Sequence, residues 1–521
     1  MNNGGKIICP LCSDAVDKLL YRFHIDSERN VIEKIKAHNP GWSVNDGTCS
    51  RCVDYYHIEV LREQRIIPEV GPYFPVKSAD DFVILPTPLR VDAHPRYTGK
   101  GVTICFIDSG FYPHPDLVTT NNRIRLMHDI TTGKDVDIHA PVMSASWHGT
   151  MTTVVCAGDG YCSNGLYKGI ACDAKLVLLK VQDSTGKIST QNIVKALQWV
   201  LDHFEEYNIR VVNISLGDDA VCSYKDSPVD QLAEALIEKG ITIVAAVGND
   251  ENGAIHPPAN SLNVIAVGGI DDNNDLTSDA QAYHSSYGIT VDALMKPELV
   301  AHAIWIAAPI LPGTNEKMEA ENLYGSLSNT ENDAATIQRI QQCKYISPHY
   351  MHVDGTSFAT PIVTAVVAQM LEANDKLTPQ EIRQVLFSTS KRHQYIIPER
   401  QGFGVIQPRK ALLKIIKRMP VVKANHSPFI DHDNKSITFY FHDDCADQVS
   451  VAGSFNQWTQ DVLLLEPHLN GLWKIEIPLL KPGVYQYKFF IDAKYWKEDV
   501  ENPYREPDGF NGFNSLLNIQ N

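Results

Sequence analysis

Seven residues draw attention for the chemistry their types and spacing could support. Four are cysteines, Cys9, Cys12, Cys49 and Cys52, arranged as two C-x-x-C pairs. Each such turn presents two thiolates to one side, so the two pairs offer the four soft ligands of a tetrahedral zinc. Protein would fill all four positions, leaving no place for a reacting water, so this metal would hold structure. The spacer between the pairs exceeds the about 15–20 residues of a compact ribbon. DAVDKLLYRFHI followed by VIEKIKAH reads as an inserted helical segment. A redox role is the competing reading, but no thioredoxin-like strand and helix surround either pair. The other three are Asp108 in FIDSG, His148 in WHGTMTTVV and Ser357 in DGTSFATP. A serine hydroxyl is too weak an acid to attack a carbonyl unaided. An imidazole must take its proton and return it to the leaving group, while a carboxylate fixes the imidazole tautomer and balances the imidazolium. Alone, each residue fits an ordinary strand end, helix cap or N-terminal turn. Together they supply every part of a nucleophilic triad.

The surrounding elements decide whether the three can meet. From Gly101 onward, short β-branched runs (GVTICFID, KLVLLKV, IRVVNISLG, GITIVAAVG, NVIAVGG) alternate with amphipathic helices. In TQNIVKALQWVLDHF, Ile193, Ala196, Leu197, Val200 and Leu201 recur at helical spacing, and DQLAEALIEK ends at Gly240. This alternation predicts parallel strands with crossover helices, a three-layer α/β domain that binds its ligands at the C-terminal strand ends. Asp108 closes the first strand, while His148 and Ser357 stand at helix starts. TPQEIRQVLFSTS carries a capping box of Thr378 and Glu381, with Pro379 in the first turn.

These residues resemble the subtilisin-like serine peptidases. The order Asp, His, Ser is that family's, with FIDSGFYPHPDL, HGTMTTVVCAGDG and GTSFATP as its signatures. KGIACDAKLVLLKV, NISLG, AAVGND and SSYGITVDALMKPELVA also match, and the similarity runs from about Tyr97 to Leu413. The resemblance implies a serine endopeptidase that works through an acyl-enzyme, with Asp108, His148 and Ser357 as its triad. It places Asn249 as the side-chain donor of the oxyanion hole and the Ser357 backbone N–H as the second donor. Ser215, Leu216 and Gly217 match the strand edge that pairs with an extended substrate, which favours peptides over esters. Asp250 falls where the family lines its primary specificity pocket. An acid there would select a basic residue before the cleaved bond, and a solvated rim carboxylate is the plain alternative. In some members the aspartate matching Asp116 touches a calcium, but CAGDGYCSNGLYKGIA does not match the loop that supplies the other oxygens. Ala301-His302-Ala303 stands where the family has Ala-Pro-Gly. A polar stretch from near Pro312 to His352 reads as a surface insertion.

After a boundary near residue 425, alternating strands (SITFYFH, QVSVAGSFN, LWKIEIPL, GVYQYKFFID) predict an all-β sandwich of immunoglobulin-like size. VSVAGSFNQW, GVYQYKFFIDAKYW and NSLLNI resemble the carbohydrate-binding modules of glycogen-branching enzymes and of the AMP-activated kinase β subunit. That resemblance puts Trp458, Lys488, Trp496 and Asn514 on glucan-ligand positions, with Phe510 and Gly512 departing from it. A protein-docking sandwich is the alternative. The organisation expected is a zinc-ribbon-like segment over 1–65, a connector over 66–96, the peptidase-like domain over 97–418, a linker over 419–434 and the sandwich over 435–521.

Composition sets the outer limits. In 521 residues, Lys+Arg 46 against Asp+Glu 62 gives a net charge of −16, which offers no footprint for nucleic acid or an anionic membrane. No charged start is followed by an apolar run, and no stretch is long and apolar enough to span a bilayer, so a cytoplasmic location with reduced cysteines is expected. A protease there needs restraint, and residues 53–96 are the expected autoinhibitory segment. The rival to an active enzyme is a scaffold whose cleft is blocked. Asp108, His148, Ser357 and Asn249 together weigh against it.

Overall fold

The computed structural model describes residues 7–11, 15–16, 25–49, 52, 56, 84–137, 139, 141–143, 145–274, 280–329, 334–416, 427–432, 434–443, 446–468 and 471–520. Cys12 and most of the 53–96 segment lie outside them. At the N-terminus, Ile7–Ile8 pairs with Ala15–Val16, and helix α1 (Ile25–His38) follows. Ala15–Val16 falls within the segment expected to be helical. A two-residue strand folded back across a turn is too short for any periodicity to register. α1 seats Val31 and Ile35, one helical turn apart, against Trp42 and Tyr56.

Seven parallel strands form the centre of the molecule. They are β1 (Thr103–Asp108), β2 (Ile124–Asp129), β3 (Lys175–Lys180), β4 (Ile209–Ile214), β5 (Thr242–Ala246), β6 (Ile265–Asp271) and β7 (Leu299–His302). Their order is β2-β3-β1-β4-β5-β6-β7. Every residue of β1 is buried, because helices cover both faces of the sheet. The helices are α2 (Ser146–Ala157), α3 (Thr190–Tyr207), α4 (Pro228–Glu238), α5 (Asn315–Asn329), α6 (Ala334–Gln342), α7 (Thr356–Ala373), α8 (Pro379–Thr389) and α9 (Pro408–Ile416). α3 and α4 press Ile193, Leu197, Val229 and Leu236 onto Cys105 and Ile107 of β1. On the opposite face, α2 and α7 pack Val154, Ile362 and Val366 against Ile104 and Phe106. α7 runs through this layer, so its apolar residues go all the way round. The Thr378 and Glu381 capping box forms as the sequence predicts.

Between β7 and α7, a hairpin of β8 (Ile306–Pro309) and β9 (Tyr350–Val353) carries the polar insertion outward. Within it α5 and α6 build a core of their own from Ile310, Ala320, Ile340 and Tyr345.

The C-terminal strands are β10 (Phe429–Asp431), β11 (Ser436–His442), β12 (Val449–Gly453), β13 (Glu466–Pro467), β14 (Leu472–Pro478), β15 (Gly483–Ile491), β16 (Tyr495–Lys497), β17 (Arg505–Pro507) and β18 (Phe513–Ile519). They form two antiparallel sheets, β10-β11-β14-β13 and β12-β15-β18-β17, with β16 on β15. Phe439, Val451, Trp473, Tyr487 and Leu517 fill the space between them. β10 lies inside the stretch expected to be linker. Its three residues are too few to show alternation, but they extend the sheet by pairing with β11.

The sandwich rests on the central domain through polar and aromatic contacts. Arg392 is ion-paired with Glu498, and the Arg505 guanidinium lies between the rings of Phe403 at 3.9 Å and Phe513 at 4.6 Å. Gln380 donates to Glu501 at 3.2 Å, and Asn511 donates to the His393 carbonyl at 3.3 Å. Among the described residues, no helix is long and apolar enough to cross a membrane.

Candidate active site

β1 delivers Asp108 at its C-terminal end, 1% exposed. Its Oδ1 accepts from His148 Nδ1 at 2.7 Å and from the Ser109 N–H at 2.7 Å, and its Oδ2 accepts from Thr152 Oγ1 at 3.2 Å. His148 lies in the first turn of α2, and Gly149 beside it allows helix and strand to meet. A Cβ at Gly149 would stand 2.3 Å from the Gly110 carbonyl and 2.9 Å from Asp108 Cβ. Burial lowers the proton affinity of His148. The charge of Asp108 and its hydrogen bond outweigh this, so the imidazole titrates above its ordinary range. Thr152, one helical turn after His148, holds the second carboxylate oxygen. It was not among the residues expected from the sequence, and the i,i+4 spacing in HGTMT is the signal that could have found it.

Ser357 is the second residue of α7, whose cap, Gly355, has φ 137°, a backbone state that favours glycine. Its Oγ donates to the Ser215 carbonyl at 3.2 Å, and Ser215 Oγ donates back to the Ser357 carbonyl at 3.0 Å. Ser357 therefore rests against the strand edge that begins at Ser215. The ring of Phe358, the next residue, lies tilted against the His148 ring, centroids 5.9 Å apart. Asn249 follows β5. Its Oδ1 accepts from Thr356 N at 2.8 Å and Thr356 Oγ1 at 3.0 Å. This leaves Nδ2 as a donor beside Gly355. The Ser357 backbone N–H likewise donates to no described residue. Two aligned donors at a helix N-terminus can hold an oxyanion.

Beyond Ser215, Leu216 is half-buried and Gly217 is exposed. A Cβ on Gly217 would meet the Pro257 carbonyl at 3.2 Å and His256 Cβ at 3.8 Å, and Asp218 N donates to the same carbonyl at 2.9 Å. His256 thus flanks the strand edge, a neighbour that no sequence motif disclosed. Asp250 is exposed, and its Oδ1 accepts from Asn252 N at 3.0 Å, closing its own turn. Trp147, 51% exposed, stands edge-on to His148 at 5.2 Å.

At the N-terminus, the thiols of Cys9, Cys49 and Cys52 all lie within 4.8 Å of one another, compatible with three ligands of one tetrahedral zinc. Asp116 does not fit calcium. It is fully buried, one carboxylate oxygen accepts from the Tyr350 hydroxyl, and the other accepts from Cys162 N at 2.9 Å.

In the sandwich, Trp458 and Trp496 meet with ring centroids 5.9 Å apart. Lys488 is ion-paired with Asp508, and Asn514 Nδ2 donates to Gln486 Oε1 at 3.4 Å, so two of the four expected ligands are engaged within the protein.

Comparison with known proteins matches residues 99–404 to the subtilase family and residues 436–521 to the glycogen recognition site of AMP-activated protein kinase. Serine protease AprX of Bacillus subtilis is 31% identical over 326 residues, covering 60% of this chain and 67% of that one. M-protease of Shouchella clausii is 27% identical over 299 residues, covering 57% of this chain and 61% of that one. Fervidolysin from Fervidobacterium pennivorans, a keratinolytic enzyme related to subtilisin, superposes with a TM-score of 0.48 at 17% identity, over 77% of this chain and 55% of that one. The first match spans more than half of the sequence and contains Asp108, His148, Asn249 and Ser357. The chain belongs to the subtilase family, and its chemistry is that of a serine peptidase.

Proposed function

We propose that the chain is a serine endopeptidase in which Ser357 is the nucleophile, His148 the base and then the acid, and Asp108 the group that orients His148. With Nδ1 bound to Asp108, Nε2 is the nitrogen that takes the Ser357 proton as Oγ attacks the peptide carbonyl. The carbonyl oxygen becomes an oxyanion between Asn249 Nδ2 and the Ser357 N–H. The C–N bond then breaks, His148 hands its proton to the departing amine, and the acyl group stays on Ser357 as an ester. Water, deprotonated by His148, attacks that ester and restores the hydroxyl. Substrate would lie extended along Ser215, Leu216 and Gly217, pairing by its main chain, which tolerates varied sequence. The 2.7 Å bond from His148 Nδ1 to Asp108 carries this reading, because it leaves the catalytic nitrogen no other tautomer. The test is labelling by a serine-directed phosphonate probe with casein cleavage followed in parallel. Both should occur in the parent chain and vanish in Ser357→Ala. A folded parent chain that neither labels nor cleaves would sink the proposal and leave the blocked scaffold.

Two accessory roles belong to the same reading. The Cys9, Cys49 and Cys52 cluster, completed by Cys12, would hold a structural zinc. Metal analysis by plasma mass spectrometry should find about one zinc per chain, lost in Cys49→Ser. The sandwich would bind α-glucan, with ring faces stacking on Trp458 and Trp496. The match of 436–521 to a glycogen recognition site supports this over protein docking.

A further inference from the structure

We propose that α-glucan is held in the cleft between the sandwich and the central domain, so that the peptidase domain supplies part of the sugar site. This inference rests on the glucan reading and goes beyond it by naming a second wall. A sugar ring needs a flat aromatic face and polar groups that reach its hydroxyls. The sandwich offers the faces of Trp458 and Trp496, but the Lys488 ammonium is committed to Asp508 and the Asn514 amide to Gln486. Further polar groups stand across the domain seam.

Trp496, 38% exposed, lines a cleft of ≈ 480 Å³ between the two domains. That volume falls in the range of about 300–1,000 Å³ usual for small-molecule sites. On the sandwich side the cleft presents Lys497 and Asp443, which pair at 3.3 Å. On the opposite side it presents Ser388 and Ser390 from the C-terminal end of α8, and Lys414 of α9, whose Nζ donates to Ser388 Oγ at 2.7 Å. The cleft is also lined by Arg392, Glu498 and Glu501 and by the rings of Tyr440 and Phe441, and this mixture of hydroxyls, both charge signs and aromatic faces suits a neutral polyol, which both donates and accepts, better than an anion or an apolar ligand. The walls are held in register by Arg392 with Glu498 and by Arg505 between Phe403 and Phe513. The cleft is thus formed before ligand arrives, which spares the binding energy that ordering would cost. Trp458 stands edge to face with Trp496, ring centroids 5.9 Å apart, so a chain in the cleft would reach it past Trp496.

The experiment is calorimetric titration of maltoheptaose into the full chain carrying Ser357→Ala, which prevents self-cleavage. Saturable binding is expected, weakened at least about tenfold by Trp496→Ala. Ser388→Ala with Lys414→Ala should weaken it by about tenfold as well, since hydrogen bonds to the sugar are lost. The same pair in the Ser357-intact chain should leave casein hydrolysis unchanged. If the pair perturbs folding, Ser388→Ala alone removes one hydroxyl and should still weaken binding measurably. Parent-like affinity in the Ser388 and Lys414 variants, with binding lost in Trp496→Ala, would confine the site to the sandwich and overturn this inference while the glucan reading stands. No binding to the parent chain would overturn both.

Discussion

The proton affinity of His148 is set by opposed forces. Burial favours the neutral ring, while the charge of Asp108 and its hydrogen bond favour the cation and prevail. Only the neutral ring can take the Ser357 proton. Activity must therefore rise with pH as His148 loses its own proton, in a titration centred above the roughly 6.5 of an unperturbed imidazole. In Asp108→Asn the charge is gone, so the rising limb of kcat/KM should move to lower pH while its plateau falls by about 10⁴ as tautomer control is lost. A limb that stays in place would mean that another group sets the titration. Asn249→Ala should lower kcat by about 10²–10³ with KM little changed, because its Nδ2 meets the oxygen only after charge has formed. A raised KM with kcat unchanged would assign it to ground-state binding instead. The placement of Asp108, His148, Ser357 and Asn249 was legible because each sits in a motif dictated by its element: a strand end, a first helical turn, a glycine-capped helix. Thr152 and Thr356 were not, although they hold Asp108 and Asn249 in place, because a threonine inside HGTMTT or GTS reads as ordinary helix lining.

Among the elements, legibility followed periodicity. β1, β3, β4, β5 and β6 were evident as short runs buried on both faces, as a parallel sheet with helices above and below requires. β2, IRLMHD, was not, since it lies toward the sheet edge, where polar residues interrupt the run. The β8 and β9 hairpin was hidden for another reason: its two strands are four residues each and flank a long insertion. That hairpin matters beyond its size. Tyr350, fully buried on β9, sends its hydroxyl to Asp116, and burial with the Asp116 charge pushes the phenol's proton affinity up, so it remains a donor. The insertion thereby supplies from within the chain a partner for the carboxylate that touches a calcium in some relatives. The unfolding temperature of the central domain should accordingly be the same with and without added calcium. Tyr350→Phe, which leaves a buried carboxylate oxygen without that donor, should cost about 1–3 kcal/mol. A rise in added calcium would show that a cation, and not the phenol alone, stabilises this region.

For the molecule as a whole, the seam decides whether the sandwich behaves as a tethered module or as part of the peptidase. Two guanidinium groups meet there, Arg505 buried and Arg392 half-buried. Burial, with the charge of Arg392 beside it, holds the proton affinity of Arg505 down to about 10. Glu498 compensates them: burial alone would raise its carboxyl, but the Arg392 charge and hydrogen bond bring it below its usual range. With Glu498 neutralised, Glu298 is left as an acidic neighbour of Arg505, which is not enough to offset both cations. Breaking such a pair from one side leaves an uncompensated charge, at a cost of about 3–5 kcal/mol. That cost falls on docking rather than on either core, since Phe439, Tyr487 and Leu517 stay packed within the sandwich. Glu498→Gln should therefore split the unfolding in scanning calorimetry, with a sandwich transition moving below that of the central domain. The rate of casein cleavage at 25 °C should be unchanged, because no triad residue touches the seam. Unfolding indistinguishable from the parent would mean that the aromatic clamp of Phe403 and Phe513 on Arg505 holds the domains without the ion pair. The preformed cleft at the seam would then depend on that clamp and on the Gln380 and Asn511 hydrogen bonds.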